Sequence, residues 1–453
     1  MTQPEHVDVV IVGGGIAGLT LALGLHAHMG VSAVVYEQAH ARDAGGGGGT
    51  GGAIGLYANG LRVLRDIDAA LLDDVVGEGL PYLHRRWLRH DAAEIAVGDE
   101  ALLAPDEDAS LQPIGIRRWR LLSVLVRHAQ QRAITVVYGK RLESIAKGPL
   151  SNKAILVFSD ASSVSASLVF GADGVKSNVR KFLFPDIKDP PYTGVTTLMC
   201  VAKIPPPNPD APDGPPHPLT LIKRGIHFVS SRTSKFHACI YPLPDDEVNV
   251  QIYIPCDEQP ETWGKLSVED MRAESNAMLE KLRADGWHEK FVAPWVDPET
   301  VIRVGLRARE PLKHWAVGNV ILLGDAAHPP VPYIGQGAMQ AIEDAGVLSL
   351  LLKTLCPLTT TVDGKNSFLD LSNLDKVLHL YEQLRVERCT SVLASSHKLG
   401  EMNQRRAESW FYNIQYEWDI WWQVLLNGNL PVMLKGACYN YNDEVAAALS
   451  EST

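Results

Sequence analysis

The residue types best suited to chemistry gather first between positions 8 and 37. An almost wholly apolar stretch, Asp8 to Val12, runs into Gly13-Gly14-Gly15-Ile16-Ala17-Gly18 and then into an apolar helical stretch through Leu19, Leu21, Leu23 and Leu25. A second apolar stretch, Ala33 to Tyr36, ends on Glu37, nineteen residues after Gly18. Strand, glycine turn, helix, strand and acid in this order form the unit that binds a dinucleotide. Gly13 allows the tight turn, Gly15 lets the backbone approach a pyrophosphate, and Gly18 lets the helix lie close on the sheet. Free N–H groups and the positive end of the helix dipole would face the phosphates. Glu37 would accept hydrogen bonds from a ribose. A glycine turn without a ligand leaves Glu37 unexplained.

Two shorter motifs lie far downstream. Ser167 to Phe170 runs into Gly171-Ala172-Asp173-Gly174, and Asn319 to Leu323 runs into Gly324-Asp325. In the segment after it, Pro329, Pro330 and Pro332 stiffen a loop, while Gly335 and Gly337 would let backbone N–H groups approach a ring. A long helix that begins near Gly337, with Ala338 in its first turn, and runs through Leu352 would aim its positive end at that ring.

The elements that position these motifs are legible from period and punctuation. The Gly45 to Gly49 run predicts a mobile loop. Ala53-Ile54-Gly55-Leu56 leads into a helix through Leu61 and Leu64, residues 80–112 read as irregular and acidic, and Arg117 to Arg127 resumes a helical pattern. Strands are expected at Thr135–Tyr138 and Ala154–Phe158. Composition changes at Asp189, and residues 204–218 are proline-rich, a surface excursion. Three alternating segments, Leu219–Ile222, Phe236–Tyr241 and Val248–Ile254, predict an antiparallel sheet, followed by a polar helix over Val268–Leu282. The tail has helical spacing at Val377, Leu380 and Leu384, then at Trp410, Ile414, Trp418 and Trp421, a stripe that reads most simply as a buried helix face, a partner surface being the alternative. The expected fold is therefore α/β: a discontinuous Rossmann-like cofactor domain (1–188 and 301–355), an inserted antiparallel-sheet substrate domain (189–300) and a helical C-terminal region (356–453).

Bulk properties exclude several functions. A chain of 453 residues with net charge −11 and no basic tract is not built to neutralise nucleic-acid phosphates. Residues 1–6 are polar and the first strand follows at once, which leaves no signal peptide, and no apolar run reaches the roughly 18 to 20 residues of a membrane span. The six cysteines (200, 239, 256, 356, 389, 438) show no CxxC and no metal-like pairing with histidine, so they read as reduced thiols of a cytoplasmic protein without a bound metal.

The glycine fingerprint at 13–18, Gly171-Ala172-Asp173-Gly174 and Gly324-Asp325, in this order, resemble the class A single-component flavoprotein monooxygenases, the group of p-hydroxybenzoate and salicylate hydroxylases. Residues 319–345 are similar to that family's flavin-contact segment almost throughout, most of all in its fungal branch of phytoalexin-detoxifying and indole-alkaloid-tailoring enzymes. The resemblance implies non-covalent FAD, NAD(P)H as reductant, and O2 activated as a flavin C4a-hydroperoxide. One oxygen atom would then hydroxylate or epoxidise an aromatic, indolic or other electron-rich small molecule, in secondary metabolism or detoxification. It also implies roles: Glu37 on the adenosine ribose, Gly13, Gly15 and Gly18 on the pyrophosphate, and Gly52 and Ala53 as a second flavin-contact turn. Arg118 matches the arginine that reaches the pyrophosphate and ribityl chain, a solvated helix-start cation being the alternative. Asp173 matches the acid that supports flavin and nicotinamide, a turn former being the alternative. Asp325 would bind the ribityl hydroxyls, and Gly335, Gly337 and Ala338 would meet the isoalloxazine.

One departure stands out. Relatives of the salicylate-hydroxylase type carry an arginine several residues past a Tyr-x-Gly, whereas Tyr192-Thr193-Gly194 is followed here by Val195-Thr196-Thr197-Leu198-Met199. The remaining candidates over the flavin are His227, Tyr241 and Arg224, each also readable as an ordinary strand residue. A flavin-dependent halogenase shares the scaffold but would carry a Trp-x-Trp-x-Ile-Pro segment, absent here. A non-catalytic flavin-binding protein is the other rival.

Overall fold

The computed structural model describes residues 4–40, 51–103, 109–147, 153–206, 216–222, 224–262, 266–360 and 367–452. The Gly45–Gly49 run and most of the proline-rich stretch lie outside them. The continuous apolar runs become the strands of a largely parallel sheet, in the order Ala316–Val317, Val320–Leu322, Ser163–Gly171, Glu5–Val12, Val34–Glu37 and Val136–Tyr138. Val10 stands between Val34 and Val169, and Ile11 between Val35 and Phe170. Such strands are covered on both faces, which is why they do not alternate with polar residues. A hairpin of Leu142–Lys147 and Ala154–Phe158 extends the Ser163–Gly171 strand. The Ile16–Met29 and Gly337–Leu355 helices lie side by side: a Cβ on Gly24 would sit 3.1 Å from the Ser349 hydroxyl.

Among the described residues a second sheet has seven strands, ordered Pro298–Arg307, Tyr192–Lys203, Glu247–Pro255, His237–Leu243, Ile226–Ser230, His84–Arg89 and Glu94–Asp99. Its last two strands come from the stretch expected to be irregular. Their polar residues hid a period of two: Arg85 and Trp87 are buried on one face, and Arg85 is neutralised by the equally buried Glu100. The expected strand over Leu219–Ile222 is instead a 3-10 turn, Pro218–Leu221, opened by Pro218 and capped by the His217 ring, which accepts from the Leu219 N–H. One face of the sheet packs Leu198, Cys200, Ile240 and Ile252 against Met278 and Leu282 of the Val268–Ala284 helix. The other face packs Cys239, Tyr241 and Tyr253 toward Ala53, Val331 and Tyr333.

The tail folds as helices Leu374–Arg405, Trp410–Asn427, Pro431–Ala437 and Tyr441–Glu451. Here the expectation of a buried aromatic stripe is corrected. Trp410, Ile414, Trp418 and Trp421 are 74, 52, 60 and 40% exposed, and the Trp410–Asn427 helix buries Asn413, Tyr416, Ile420 and Val424 instead. Charge sets that orientation: Glu417 on the inner side takes Arg89, Arg232 and Arg406 from three separate segments. No helix among the described residues is long and apolar enough to cross a membrane, and none of the six cysteines is in a disulfide.

A buried charge cluster fixes the long Gly337–Leu355 helix to the Leu374–Arg405 helix. Arg385 donates to Asp344 at 2.7 Å and to Glu343, all three side chains being fully buried. Asp344 also accepts the Gly324 N–H at 2.8 Å and bonds the His328 ring at 2.6 Å, so the helix holds the Gly324-Asp325 turn by the same carboxylate. Removing one partner leaves buried charges uncompensated. Arg385→Leu should lower stability by about 3–5 kcal/mol, read as the shift of a urea unfolding midpoint.

Candidate functional site

The glycine fingerprint is shaped by two kinds of demand. Gly13 has φ +111°, and a Cβ there would lie 2.3 Å from the Ala172 carbonyl oxygen; one on Gly18 would lie 2.0 Å from the Gly13 oxygen. These glycines exist so that backbones can touch. Gly15 is different. A Cβ on it would meet nothing within 4 Å, so its small size serves open space in front of the helix. The Ile16–Met29 helix has no side-chain cap on its N-terminus, which leaves its first N–H groups available to an anion.

Glu37 lies beside this turn. Its two oxygens accept the Gly14 N–H at 2.7 Å and the Ala39 N–H at 2.8 Å, and each retains a lone pair for a ribose hydroxyl. Asp325 is exposed within a run whose neighbours Gly324, Ala326 and Ala327 are buried, so it opens into a recess. Confinement raises its carboxyl from the usual range, against the pull of His328 and Arg118. Arg118 opens the Arg118–Gln131 helix and is exposed in the same recess, where Asp325 and Glu37 are the charges that act on it. Its neighbours are committed elsewhere: Arg117 to Glu247 and Glu299, Arg120 to Glu78 and Asp245. Among the described residues Arg118 has no such ion pair.

Asp173 faces inward on its own turn. Its carboxylate accepts from the Ser177 hydroxyl and from the Asn178 and Val179 N–H groups, at 2.7 and 3.1 Å for the two amides, anchoring the start of the Asn178–Leu183 helix. That geometry is the turn-forming alternative. Burial raises its carboxyl while these hydrogen bonds oppose the rise.

The Gly52-Ala53 turn is clamped from the second sheet. Asn249 Oδ1 accepts the Ala53 N–H at 3.2 Å, Gln251 Nε2 donates to the Ala53 carbonyl at 2.9 Å, and a Cβ on Gly52 would strike the Met199 sulfur at 2.9 Å. The Arg118 N–H donates to the Gly52 carbonyl at 3.1 Å, which joins three site elements. On the other side stands the Pro329–Ala338 segment. Gly335 is left-handed at φ +67°, and Gly337 and Ala338 form the first turn of a helix with no side-chain cap. Tyr57 packs beside Gly335, and its hydroxyl accepts from Arg85 at 3.2 Å.

Over this segment the sheet packs an aromatic cluster in which Phe228, His237, Tyr253, Tyr333, Asn403 and Tyr416 enclose a void of about 10 Å³, room for a water at most. His237 stacks on Tyr253 at 4.7 Å and 9°, and both rings lie 5.3 Å from Tyr333. Burial pulls the His237 imidazole down to about 4 and pushes Tyr333 up to about 12, so both are neutral around pH 7. Tyr241 reaches this face but is packed edge-on against Tyr82, rings 5.6 Å apart. His227 does not: it pairs with Ile240 and alternates with Ile226 and Phe228, which puts it on the side of the Val268–Ala284 helix. Arg224 is exposed. The same period-two count, applied to Phe236–Tyr241, places His237 beside Tyr241 and was the available signal for it. Asn249, Gln251 and Arg85 carried no sequence signal of their own.

A backbone cradle, a ribose-side acid, a recessed Asp–Arg pair and an uncapped second helix suit a flavin dinucleotide. Residues 6–359 match the model of the FAD binding domain family. The chain belongs to that family. It is an FAD-dependent monooxygenase, and its relatives span nearly its whole length. It is 27% identical over 415 residues to the aurachin C monooxygenase/isomerase of Stigmatella aurantiaca, covering 88% of this chain and 90% of that one. It is likewise 27% identical over 422 residues to the 6-hydroxynicotinate 3-monooxygenase of Pseudomonas fluorescens, covering 91% and 95%. Among solved structures it is similar to Klebsiella pneumoniae HpxO complexed with FAD and uric acid, with TM-score 0.71, 19% identity, and coverage of 98% and 97%. That likeness concerns the Rossmann-like fold.

The FAD contacts expected of the recess can be tested singly. Asp325→Ala should weaken FAD binding about tenfold or more, a charged hydrogen bond being worth about 1.5–3 kcal/mol. Arg120→Ala, whose guanidinium is already committed, should stay within about twofold. Titration of the apoprotein with FAD, followed by flavin fluorescence, separates the two.

Proposed function

We propose that this FAD-dependent monooxygenase uses NAD(P)H and O2 to hydroxylate or epoxidise an aromatic, indolic or other electron-rich small molecule. The observation that carries the reading is the Pro329–Ala338 segment, an uncapped helix start with a left-handed Gly335 packed under the aromatic side chains Phe228, Tyr253 and Tyr333. Names of relatives support it: one acts on 6-hydroxynicotinate, and HpxO was solved with uric acid, both flat heterocycles. Others are fungal FAD-dependent monooxygenases, including one of Aspergillus terreus, which fits a role in secondary metabolism. A cytoplasmic site of action fits the six cysteines, none in a disulfide.

FAD, held without a covalent bond, would take electrons from NAD(P)H and supply the activation of O2 and the transfer of one oxygen atom. The residues of the chain do the rest. Glu37 and the Ile16–Met29 helix start would hold the adenosine and pyrophosphate end, while Asp325 and Arg118 would hold the middle. Gly335 would admit close backbone approach to the ring, and the helix start at Gly337 would offer its positive end to negative charge on the flavin. Phe228, Tyr253 and Tyr333 supply apolar walls that exclude water.

The FAD-loaded protein should oxidise NADH or NADPH faster when an aromatic or indolic substrate is added, and under 18O2 the product should gain one labelled oxygen. Product formed without label would contradict the reading. Gly335→Val forces a β-branched residue into a left-handed position, at a strain of about 1–3 kcal/mol. The variant should consume NAD(P)H with a lower yield of product per reductant, measured by parallel reductant and product assays.

A further inference from the structure

The Trp410–Asn427 helix is apolar on the side it turns to solvent as well as on the side it buries. Eight large apolar side chains on its outer side are each at least 40% exposed. At about 100° per residue they fall within an arc of about 160°, from Trp410 and Trp421 at one margin to Leu426 at the other. Gln415 is the only polar residue inside that arc, and Glu417 lies outside it, turned to its three arginines. Trp418 sits at the centre, stacked on Trp422 at 6.1 Å and 5° and 5.4 Å from Trp421. Taking up to ~250 Å² for a large ring, the eight side chains leave on the order of 900 Å² in water. That exceeds the roughly 300–600 Å² of the largest patch on a typical monomer and matches the ~800 Å² each partner gives to a standard interface. The helix is also held in place before any partner arrives. Besides the Glu417 bonds, Asn413 accepts from Arg406 Nε at 2.8 Å and donates to the Arg232 carbonyl at 3.2 Å, so little ordering is left for binding to supply.

We propose that this face is the interface of a two-fold symmetric dimer, its occupant the same helix of a second copy of the chain. Charge favours a protein over a lipid surface. Helices that lie on membranes carry lysine and arginine along their polar face, whereas residues 410–427 contain two acids and no lysine or arginine, in a chain of net charge −11. Composition favours a like partner: aromatic residues are enriched and charged residues depleted at interface cores, and contacts between identical subunits are the most apolar. The face is also self-complementary, as a closed two-fold contact requires. Trp418 lies midway along the helix and at the centre of the arc. A two-fold axis there sets the two helices antiparallel and brings the Trp410–Phe411 end of each against the Leu425–Leu426 end of the other.

The test measures the mass of the FAD-loaded chain by sedimentation equilibrium over a range of concentrations. The wild type should show a reversible monomer–dimer equilibrium, with dimer predominant at micromolar concentration. Trp418→Glu and Trp418→Lys each place a charge at the axis, where it meets its own copy. Each should raise the dissociation constant about thirtyfold or more. Mixed in equal amounts, the two variants should recover dimer, because glutamate then faces lysine across the axis. Val268→Glu, at a residue of another helix that is just as exposed, should leave the equilibrium unchanged. FAD content and the circular dichroism spectrum confirm that each variant is folded. A wild type that stays monomeric at tens of micromolar, a dimer that survives either Trp418 variant or is lost equally in Val268→Glu, or two variants that remain monomers when mixed would overturn the proposal. So would flotation of the wild type with neutral or anionic phospholipid vesicles that Trp418→Glu abolishes, which would assign the face to a lipid surface.

Discussion

Two backbones in contact set the terms for the rest of the molecule. The Gly13 turn lies so close to the Ala172 carbonyl, and Gly18 so close to Gly13, that no side chain fits at either position. This fixes the ends of the Glu5–Val12 and Ser163–Gly171 strands against each other and sets the start of the Ile16–Met29 helix in front of open space at Gly15. Once that helix start is placed, Glu37 at the end of the next strand can reach only the Gly14 side of the turn, where it is found. The backbone part of a dinucleotide site follows from these contacts, before any side chain is added.

The second constraint is that two distant segments must meet the first. Asp344 takes the Gly324 N–H, the His328 ring and Arg385 at once, so the turn bearing Asp325 is tied to the C-terminal helices. Asn249 and Gln251 hold the Ala53 backbone from the second sheet. Buried charges of this kind add little net stability against a well-packed apolar core, but they tolerate few alternative arrangements. The site is therefore assembled from four separated stretches whose relative positions are held by polar bonds rather than by apolar packing alone.

How much of this was legible in the sequence depends on the range of the interaction. The fingerprint, the strands from Glu5 to Glu37 and the helix after Gly337 were readable because local pattern and local role coincide. Asp325 and Arg118 were readable only through resemblance; the structure adds that one is the exposed residue of a buried run and the other a cation without an ion pair among the described residues. The strands His84–Arg89 and Glu94–Asp99 were missed because Arg85 looks like surface until Glu100 is seen beside it, fully buried. The tryptophan stripe was misread because periodicity reports that a helix has two faces, not which one the protein covers; three arginines on Glu417 decided that. His227 was named as a candidate and His237 was not, for want of the register that puts one on each side of the sheet.

The central claim is that Glu37, the Ile16–Met29 helix start, Asp325 and Arg118 together form the FAD cradle, leaving the Gly335–Gly337 backbone for the ring. A crystal structure of the FAD complex tests it most directly. The account predicts the adenosine ribose on Glu37, Asp325 and Arg118 within hydrogen-bond distance of the cofactor, and the Asn249 and Gln251 bonds to Ala53 intact. A flavin bound with Asp325 and Arg118 turned away from it, or with its ring remote from Gly335, would contradict it.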